Sequence, residues 1–318
     1  MRLVFHLGYP RTGTTFLQTH IFPKHKEINY LGPKNYNNLQ DVKINQITLD
    51  KFRDFYLLNK QNDFTSDVIK FFDREKVNII SSEKYTTFKN SINDFYDCKY
   101  IEELFRNEEL EISFLIVLRN QYDLLNSFYH HMYPISQEFL KIDNFERLVN
   151  KIADGLDSST NNLNLRLFLS WHDFNLIDKK LKNLFTNVKI KYLFYEDFKY
   201  HKNIFIEEFS DFLKLDKAYT KSLFDKDPVN ERKMYKKNQL IITPLKYEIL
   251  NNKTFIALKN ILPSKFRRFF LPFFRKYFIY TKAKISDGNR SKSIIKEYYK
   301  DSNKIFFKNT KLKNKFDY

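Results

Sequence analysis

The chain has 318 residues, enough to bury a large core, and its 42% hydrophobic and 18% aromatic residues exclude disorder by composition. Its one cysteine, Cys98, excludes a disulfide framework within the chain and a cysteine-rich metal site, which favours a reducing compartment. The net charge of +17 is concentrated in residues 259–318, where 17 Lys or Arg stand against 4 Asp or Glu, and this asymmetry indicates an anionic partner.

Four short apolar runs, rich in Val, Ile and Phe, predict buried strands at Leu3–Leu7, Val77–Ser81, Ile112–Leu118 and Val188–Phe194. The long segments between them have helical spacing. This alternation predicts an α/β fold with a central, mostly parallel sheet flanked by helices. Ligands of such sheets bind beyond the carboxyl ends of the strands, so the polar residues that follow each run are the candidate site residues.

The first run leads into a loop bounded by two glycines, Gly8–Thr15, and then into Phe16–Phe22, which can begin a helix. This arrangement directs backbone N–H groups and the positive end of a helix dipole at one anion. A nucleotide-hydrolysing P-loop has Lys after its second glycine, where this chain has Thr14, and the cation here is Arg11, inside the loop. The pattern favours a 5′-phosphate site without a metal-bridged triphosphate; the alternative is a tight strand-to-helix turn with no ligand.

The loop sequence Pro10–Leu17 resembles the 5′-phosphosulfate loop of sulfotransferases that use 3′-phosphoadenosine-5′-phosphosulfate (PAPS), P-K/R-x-G-T-T/S-x-L. The resemblance implies a P-loop NTPase-like sulfotransferase fold, PAPS as donor, adenosine 3′,5′-bisphosphate (PAP) as product, and no required metal. It also implies that Arg11 stabilises charge on the bridging oxygen, because an arginine stays protonated. The donor-binding residues implied in this loop are Arg11, Thr12, Gly13, Thr14, Thr15 and Phe16.

A second predicted phosphate-binding segment follows the third apolar run. Arg119 stands at the strand end and Ser127 eight residues later, about two turns into a predicted helix. The segment resembles the family's 3′-phosphate motif, R-N-P-x-D-x-x-x-S-x-Y/F, with Gln121 in place of Pro. The resemblance implies that Arg119 and Ser127 bind the 3′-phosphate of PAPS; the alternative is a surface charge and a helix cap.

Glu83 and Lys84 follow the second run, at a strand end where a carboxylate can take a proton from an acceptor. The pair resembles the start of the E-K-T/S-P-x-Y segment of glycosaminoglycan-type sulfotransferases, although Tyr85–Phe88 departs from the rest. The resemblance implies Glu83 as general base, Lys84 near the reacting groups, and a saccharide or glycoconjugate acceptor. An exposed ion pair is the alternative, and His130 and His131 are rival bases.

Two later segments also carry predictions. Tyr195–Phe198 resembles a family Y-E-D-L segment, and its acids are expected to cap the next helix. Arg232 and Lys233 lie where the family has a loop that closes over the 3′-phosphate and adenine, and they are predicted donor-binding residues, with solvated charge as the alternative.

The organisation predicted is a PAPS-binding and catalytic core over 1–258, with acceptor-side insertions at 33–76, and a basic aromatic segment over 259–318, packed on the same domain as a helical appendage. Within that segment, residues 264–280 place aromatic residues on one helical face and most cations on the other. This pattern is typical of a packed helix or of peripheral contact with an anionic membrane. No run approaches the ~20 apolar residues of a membrane span, and Met1–Gly8 predicts a strand rather than a signal peptide. A cytoplasmic protein is expected, at most peripheral at the inner face of a membrane, with no nucleic-acid partner.

The function predicted is in-line sulfuryl transfer from PAPS to a hydroxyl or amine, with Glu83 as base and with Arg11 and Lys84 stabilising the leaving phosphate. One alternative is a P-loop nucleotide or sugar kinase. Another is a basic module that binds an anionic polymer or a membrane and keeps only a vestigial nucleotide fold. The acceptor, the sulfated position and the oligomeric state are left open.

Overall fold

The computed structural model of the protein describes residues 1–9, 11–32, 71–81, 110–131, 139–142, 144–155, 163–185, 188–225, 240–242, 280–282, 288–316 and 318. Its strands are β1 (Arg2–Gly8), β2 (Ile28–Tyr30), β3 (Val77–Ser81), β4 (Glu111–Leu118), β5 (Lys189–Phe194), β6 (Leu240–Ile242) and β7 (Tyr280–Lys282). Its helices are α1 (Thr14–Phe16, continued by a π-helical turn at Leu17–Ile21), α2 (Gln121–His131), α3 (Phe145–Ala153), α4 (Leu163–Ser170), α5 (Phe174–Leu184), α6 (Tyr195–Tyr200), α7 (Lys202–Leu213), α8 (Lys217–Phe224) and α9 (Gly288–Thr310).

The chain divides into two compact units. The first comprises residues 1–124, 168–230 and 300–318 and contains the sheet β1–β5. The second comprises residues 125–167 and 231–299 and contains α3 and the antiparallel pair β6–β7. All the strand ends that sequence analysis marked as candidate sites belong to the first unit.

The first unit is built on a five-stranded sheet in the order β2-β3-β1-β4-β5, and all its described pairings are parallel. The prediction of a parallel sheet flanked by helices is therefore confirmed. The four predicted strands are β1, β3, β4 and β5; the short edge strand β2 is an addition. The strand order reverses between β1 and β4, and such a switch point is where parallel α/β sheets bind ligands.

Strand β1 lies at the centre of the sheet, and both of its faces are buried and mainly apolar. Leu3, Phe5 and Leu7 belong to one buried cluster, and Val4 belongs to another, as the alternation of side chains along a strand requires. Strand β4 repeats the pattern, with Phe114 on the first face.

Some of the helices begin where a side-chain oxygen accepts their first N–H groups. Asp173 caps α5 by accepting from the N–H groups of Asn175 and Leu176, and Asp216 caps α8 by accepting from that of Tyr219. Within the described residues, no helix combines the length and the apolar character that a membrane span needs.

A buried polar contact links β1, β3 and the first helical segment. The His6 Nδ1 atom lies 2.7 Å from the Ser81 Oγ atom, which also accepts a hydrogen bond of 2.9 Å from the Gln18 amide. His6 is fully buried, and burial lowers its pKa to about 3; burial likewise lowers the pKa of His172 to about 4. Both imidazoles are therefore neutral in the folded protein at neutral pH.

The two buried histidines predict a loss of stability in mild acid. In the unfolded chain they bind protons near pH 6.5, whereas the folded protein does so only near pH 3 and 4, so the unfolded state holds more protons between these limits. As the pH falls below 6.5 toward the folded-state pKa, each histidine should lower the free energy of unfolding by about 1.4 kcal/mol per pH unit. Urea titrations at a series of pH values measure this slope, and His6→Gln should reduce it. A His6→Gln variant with the wild-type slope would contradict the assignment.

Candidate active site

The register of the sheet brings the two predicted phosphate-binding segments together. Gly8, the last residue of β1, pairs with Val117 of β4, so the chain leaves both strands at nearly the same level. The glycine-bounded loop follows β1, and Arg119 follows β4. The switch point of the sheet therefore lies between the loop and Arg119.

The two glycines of the loop are required by its geometry. A Cβ atom on Gly8 would lie 1.9 Å from the Thr14 Cγ2 atom, a distance that no side chain tolerates. Gly13 has φ +83°, and a Cβ atom there would lie 3.3 Å from the ring of Phe198. Glycine is favoured at Gly8 because it lacks Cβ, and at Gly13 also because it adopts positive φ without strain.

The loop also holds a strained non-glycine residue. Arg11 has φ 76°, in the left-handed region that costs a side-chain-bearing residue about 1–3 kcal/mol. The Thr12 hydroxyl donates a hydrogen bond of 2.7 Å to the carbonyl of Tyr9 and closes the turn. Strain of this kind persists only where surrounding contacts impose it, and it is concentrated at functional sites.

Helix α1 begins directly after the loop. Gly13 is its N-cap residue and offers no side chain to the first N–H groups of the helix, which have no acceptor within the helix itself. The N–H of Leu17 donates to the Gly13 carbonyl at 3.2 Å, so the helix continues from this cap. The N–H groups at a helix start and the helix dipole favour an anion at this point.

Arg119 lies against the loop and holds it. Its Nη1 atom donates a hydrogen bond of 2.8 Å to the carbonyl of Arg11, and its guanidinium carbon lies 4.8 Å from the centre of the Tyr195 ring. The side chain is half-buried, and among the described residues it makes no other hydrogen bond. An arginine has five N–H donors in a fixed plane, so this one is oriented by the protein and can still bind an anion.

The acids after β5 support this arrangement. Glu196 accepts a hydrogen bond of 2.9 Å from the backbone N–H of Asn120, the residue after Arg119, and a second one from the Tyr318 hydroxyl. The expectation that the acids Glu196 and Asp197 cap the next helix is wrong, because neither α6 nor the following α7 has a side-chain hydrogen bond at its N-cap. Glu196 instead ties the end of β4 to the end of β5.

The remaining predicted donor residues lie in their expected elements where the structure describes them. Thr12, Thr14 and Phe16 are buried, and Thr15 is exposed at the start of α1. Ser127 is half-buried in α2, within the second unit.

The described residues contain no group of three or more His, Cys, Asp or Glu side chains placed to share a metal ion.

Several predicted residues lie outside the described residues, and their roles stay predictions. They are Glu83, Lys84, Arg232, Lys233, the acceptor-side residues 33–70, the amphipathic residues 264–279 and the side chains of His130 and His131.

Sequence reasoning missed the contacts that Tyr195, Glu196 and Tyr318 make around Arg119 and the residue after it. The Tyr195–Phe198 segment was recognisable at a strand end, but its contacts with the end of β4 follow from the position of β5 next to β4 in the sheet. No local pattern marks Tyr318. Its partner is 122 residues away in the chain, and only the folded structure brings them together.

Known proteins resemble this chain in structure but not detectably in sequence. No protein-family model and no curated protein matches the chain. Among solved structures, a sulfotransferase from Alicyclobacillus acidocaldarius is 17% identical, with a TM-score of 0.40, and the match covers 83% of this chain and 98% of that one.

Two further similar structures are both complexes with PAP. Mouse sulfotransferase SULT7A1 complexed with PAP is 16% identical, with a TM-score of 0.33, and the match covers 93% of this chain and 88% of that one. Retinol dehydratase in complex with androsterone and inactive cofactor PAP is 14% identical, with a TM-score of 0.32, and the match covers 98% of this chain and 82% of that one.

The two glycines with the same backbone angle provide a matched test of the loop. Gly13→Ala and Gly155→Ala introduce similar backbone strain at φ +83° and +84°, but only Gly13 has neighbours within 4 Å and borders the anion-binding loop. We expect Gly13→Ala to weaken PAP binding by at least about tenfold, whereas Gly155→Ala should bind like the wild type. Isothermal titration calorimetry measures both affinities. Equal affinities for the two variants would show that the loop is not the phosphate site.

Proposed function

We propose that this protein is a PAPS-dependent sulfotransferase that transfers a sulfuryl group to a hydroxyl or amine of a saccharide or glycoconjugate. One observation carries the proposal. The guanidinium of Arg119 donates a hydrogen bond to the carbonyl of Arg11, 108 residues away in sequence. The two motifs that resemble the family's two phosphate-binding sites therefore meet at one edge of the sheet. A donor with a phosphate at each end of its ribose requires such a pair of sites.

The loop binds the 5′-phosphosulfate in this proposal. The N–H groups at the start of α1 and the side chain of Arg11 surround one end of the donor, and Arg119 with Ser127 binds the 3′-phosphate at the other. Arg232 and Lys233 close over the 3′-phosphate and the adenine. The left-handed φ of Arg11 is held by the hydrogen bond from Arg119 to the Arg11 carbonyl, which places the two predicted phosphate ligands side by side.

The chemistry is an in-line displacement at sulfur. Glu83 takes the proton of the acceptor hydroxyl or amine, the acceptor atom forms a bond to sulfur, and the bond from sulfur to the bridging oxygen breaks. The electron pair of that bond stays on the phosphate oxygen of the departing PAP. Arg11, Lys84 and the loop N–H groups stabilise the charge that develops there, and no step is assigned to a metal.

The kinase alternative is less well supported by the loop. A kinase P-loop needs a lysine that reaches the β- and γ-phosphates, and the corresponding residue, Thr14, is a buried threonine.

The binding-module alternative predicts that residues 259–318 act by themselves. Phe306, Phe307 and Tyr318 belong instead to the core of the first unit, so removal of this segment should unfold the protein rather than separate binding from catalysis.

The acceptor side and the location of the protein are proposed on sequence grounds. The Glu83-Lys84 pair supports a saccharide or glycoconjugate acceptor, the amphipathic residues 264–280 support peripheral contact with an anionic membrane, and the sequence favours the cytoplasm.

Nucleotide selectivity tests the proposed donor. We expect the protein to bind PAP without magnesium and more tightly than it binds ATP with or without magnesium. Arg119→Ala should weaken PAP binding about 10- to 100-fold, since it removes charge-assisted hydrogen bonds to a phosphate. Isothermal titration calorimetry with both nucleotides, with and without chelator, measures these affinities. A preference for magnesium-ATP that survives Arg119→Ala would favour the kinase, and an absence of PAP binding would refute the sulfotransferase.

A further inference from the structure

The segment that follows α9 is folded back by its own hydrogen bonds. Lys311 has φ 57° and turns the chain away from the helix axis. The Asn314 side chain then accepts a hydrogen bond of 2.9 Å from the backbone N–H of Tyr318 and donates one of 3.3 Å to its carbonyl. These two bonds hold the backbone of Tyr318 independently of its side-chain contacts.

The ring of Tyr318 is anchored in the core of the first unit. Only 5% of the residue is exposed, and its ring centre lies 5.5 Å from that of Phe194, 5.8 Å from that of Phe174 and 6.0 Å from that of Phe307. Aromatic rings at these separations pack favourably. The hydroxyl of Tyr318 is therefore presented at a fixed position beside the end of β5.

The hydroxyl of Tyr318 donates a hydrogen bond to one carboxylate oxygen of Glu196. Burial first, and then the negative charge of Glu196, raise the pKa of the Tyr318 phenol well above its ordinary value, so the phenol keeps its proton and remains a donor. The other carboxylate oxygen accepts from the backbone N–H of Asn120 at 2.9 Å. One carboxylate thus joins Tyr318 to the turn after β4.

That turn carries Arg119. The guanidinium of Arg119 lies between the Arg11 carbonyl, at 2.8 Å, and the ring of Tyr195, the residue before Glu196. Movement of Glu196 therefore acts on Arg119 twice: through the backbone of Asn120 and through the ring of Tyr195. Neither route passes through the phosphate loop itself.

We propose that Tyr318 is a positioning residue of the donor site, which acts through Glu196 to hold Arg119 in place for the 3′-phosphate. This inference rests on the proposed function, because it takes Arg119 to be the 3′-phosphate ligand. A displaced guanidinium loses affinity for the 3′-phosphate. The 5′-phosphate loop keeps its own hydrogen bond from Thr12 to the Tyr9 carbonyl and is affected less. Tyr318 consequently sets the preference for a nucleotide that carries both phosphates.

The first unit offers a matched control for a merely structural role. The Tyr192 hydroxyl donates a hydrogen bond of 2.8 Å to the buried carboxylate of Asp178, which also pairs with Lys182 at 2.8 Å. Tyr192→Phe removes the same type of contact as Tyr318→Phe, between a phenol and a carboxylate. Within the part of the chain that the structure describes, neither Tyr192 nor Asp178 is hydrogen-bonded to Asn120 or Arg119.

The test compares PAP with adenosine 5′-monophosphate, which lacks the 3′-phosphate. Isothermal titration calorimetry on wild type, Tyr318→Phe and Tyr192→Phe gives the ratio of the two affinities, and thermal melting gives the stability of each variant. Tyr318→Phe should lose about tenfold in affinity for PAP and less than about twofold for the monophosphate. Tyr192→Phe should keep the wild-type ratio, even where its melting temperature falls. Asn314→Ala, which frees the Tyr318 backbone without touching the core, should shift the ratio in the same direction as Tyr318→Phe.

The outcomes separate the two proposals. A wild-type protein that binds PAP no more tightly than the monophosphate would overturn the proposed function. A wild-type preference for PAP that Tyr318→Phe and Asn314→Ala leave unchanged would overturn the positioning role and leave the function standing. If Tyr192→Phe lowered the ratio of the two affinities as much as Tyr318→Phe does, the effect of Tyr318 would be one of general stability. That result would also overturn the positioning role.

Discussion

The hydrogen bond from the Arg119 guanidinium to the Arg11 carbonyl is the contact on which the site depends. It forms because β1 and β4 are adjacent, parallel and in a register that ends both strands at one level. A charge-assisted hydrogen bond contributes about 1.5–3 kcal/mol, similar to the cost of the left-handed backbone at Arg11. The strained loop is thus held by the same side chain that is proposed to read the second phosphate of the donor.

Support for this contact comes from a layer of residues behind it. Glu196 accepts from Asn120 and from Tyr318, and the ring of Tyr195 lies under the guanidinium. Lys315 adds contacts to the carboxylates of Asp197 and Glu208 at 3.3 and 3.4 Å. Part of the basic charge of residues 259–318 therefore pairs with acids of the first unit. Phe306, Phe307 and Tyr318 of the same segment belong to the core of that unit.

The sequence predicted the parts of the fold and site that depend on local pattern. Strand β1 is buried and mainly apolar on both faces and is recognisable as a continuous run, whereas β2 has only three residues and gives no such signal. The loop and Arg119 were recognisable from short motifs. The roles of Glu196 and Tyr318 were not, because they follow from the order of the strands and from a contact between distant residues. Glu83 follows β3 in sequence, and its role as base remains a prediction.

The central claim is that one nucleotide spans the loop and Arg119. A crystal structure of the protein with PAP tests it most directly. The account predicts the 5′-phosphate on the N–H groups at the start of α1, beside Arg11, and the 3′-phosphate within hydrogen-bonding distance of Arg119. A bound PAP whose 5′-phosphate lies away from this loop, or whose 3′-phosphate makes no contact with Arg119, would contradict the account.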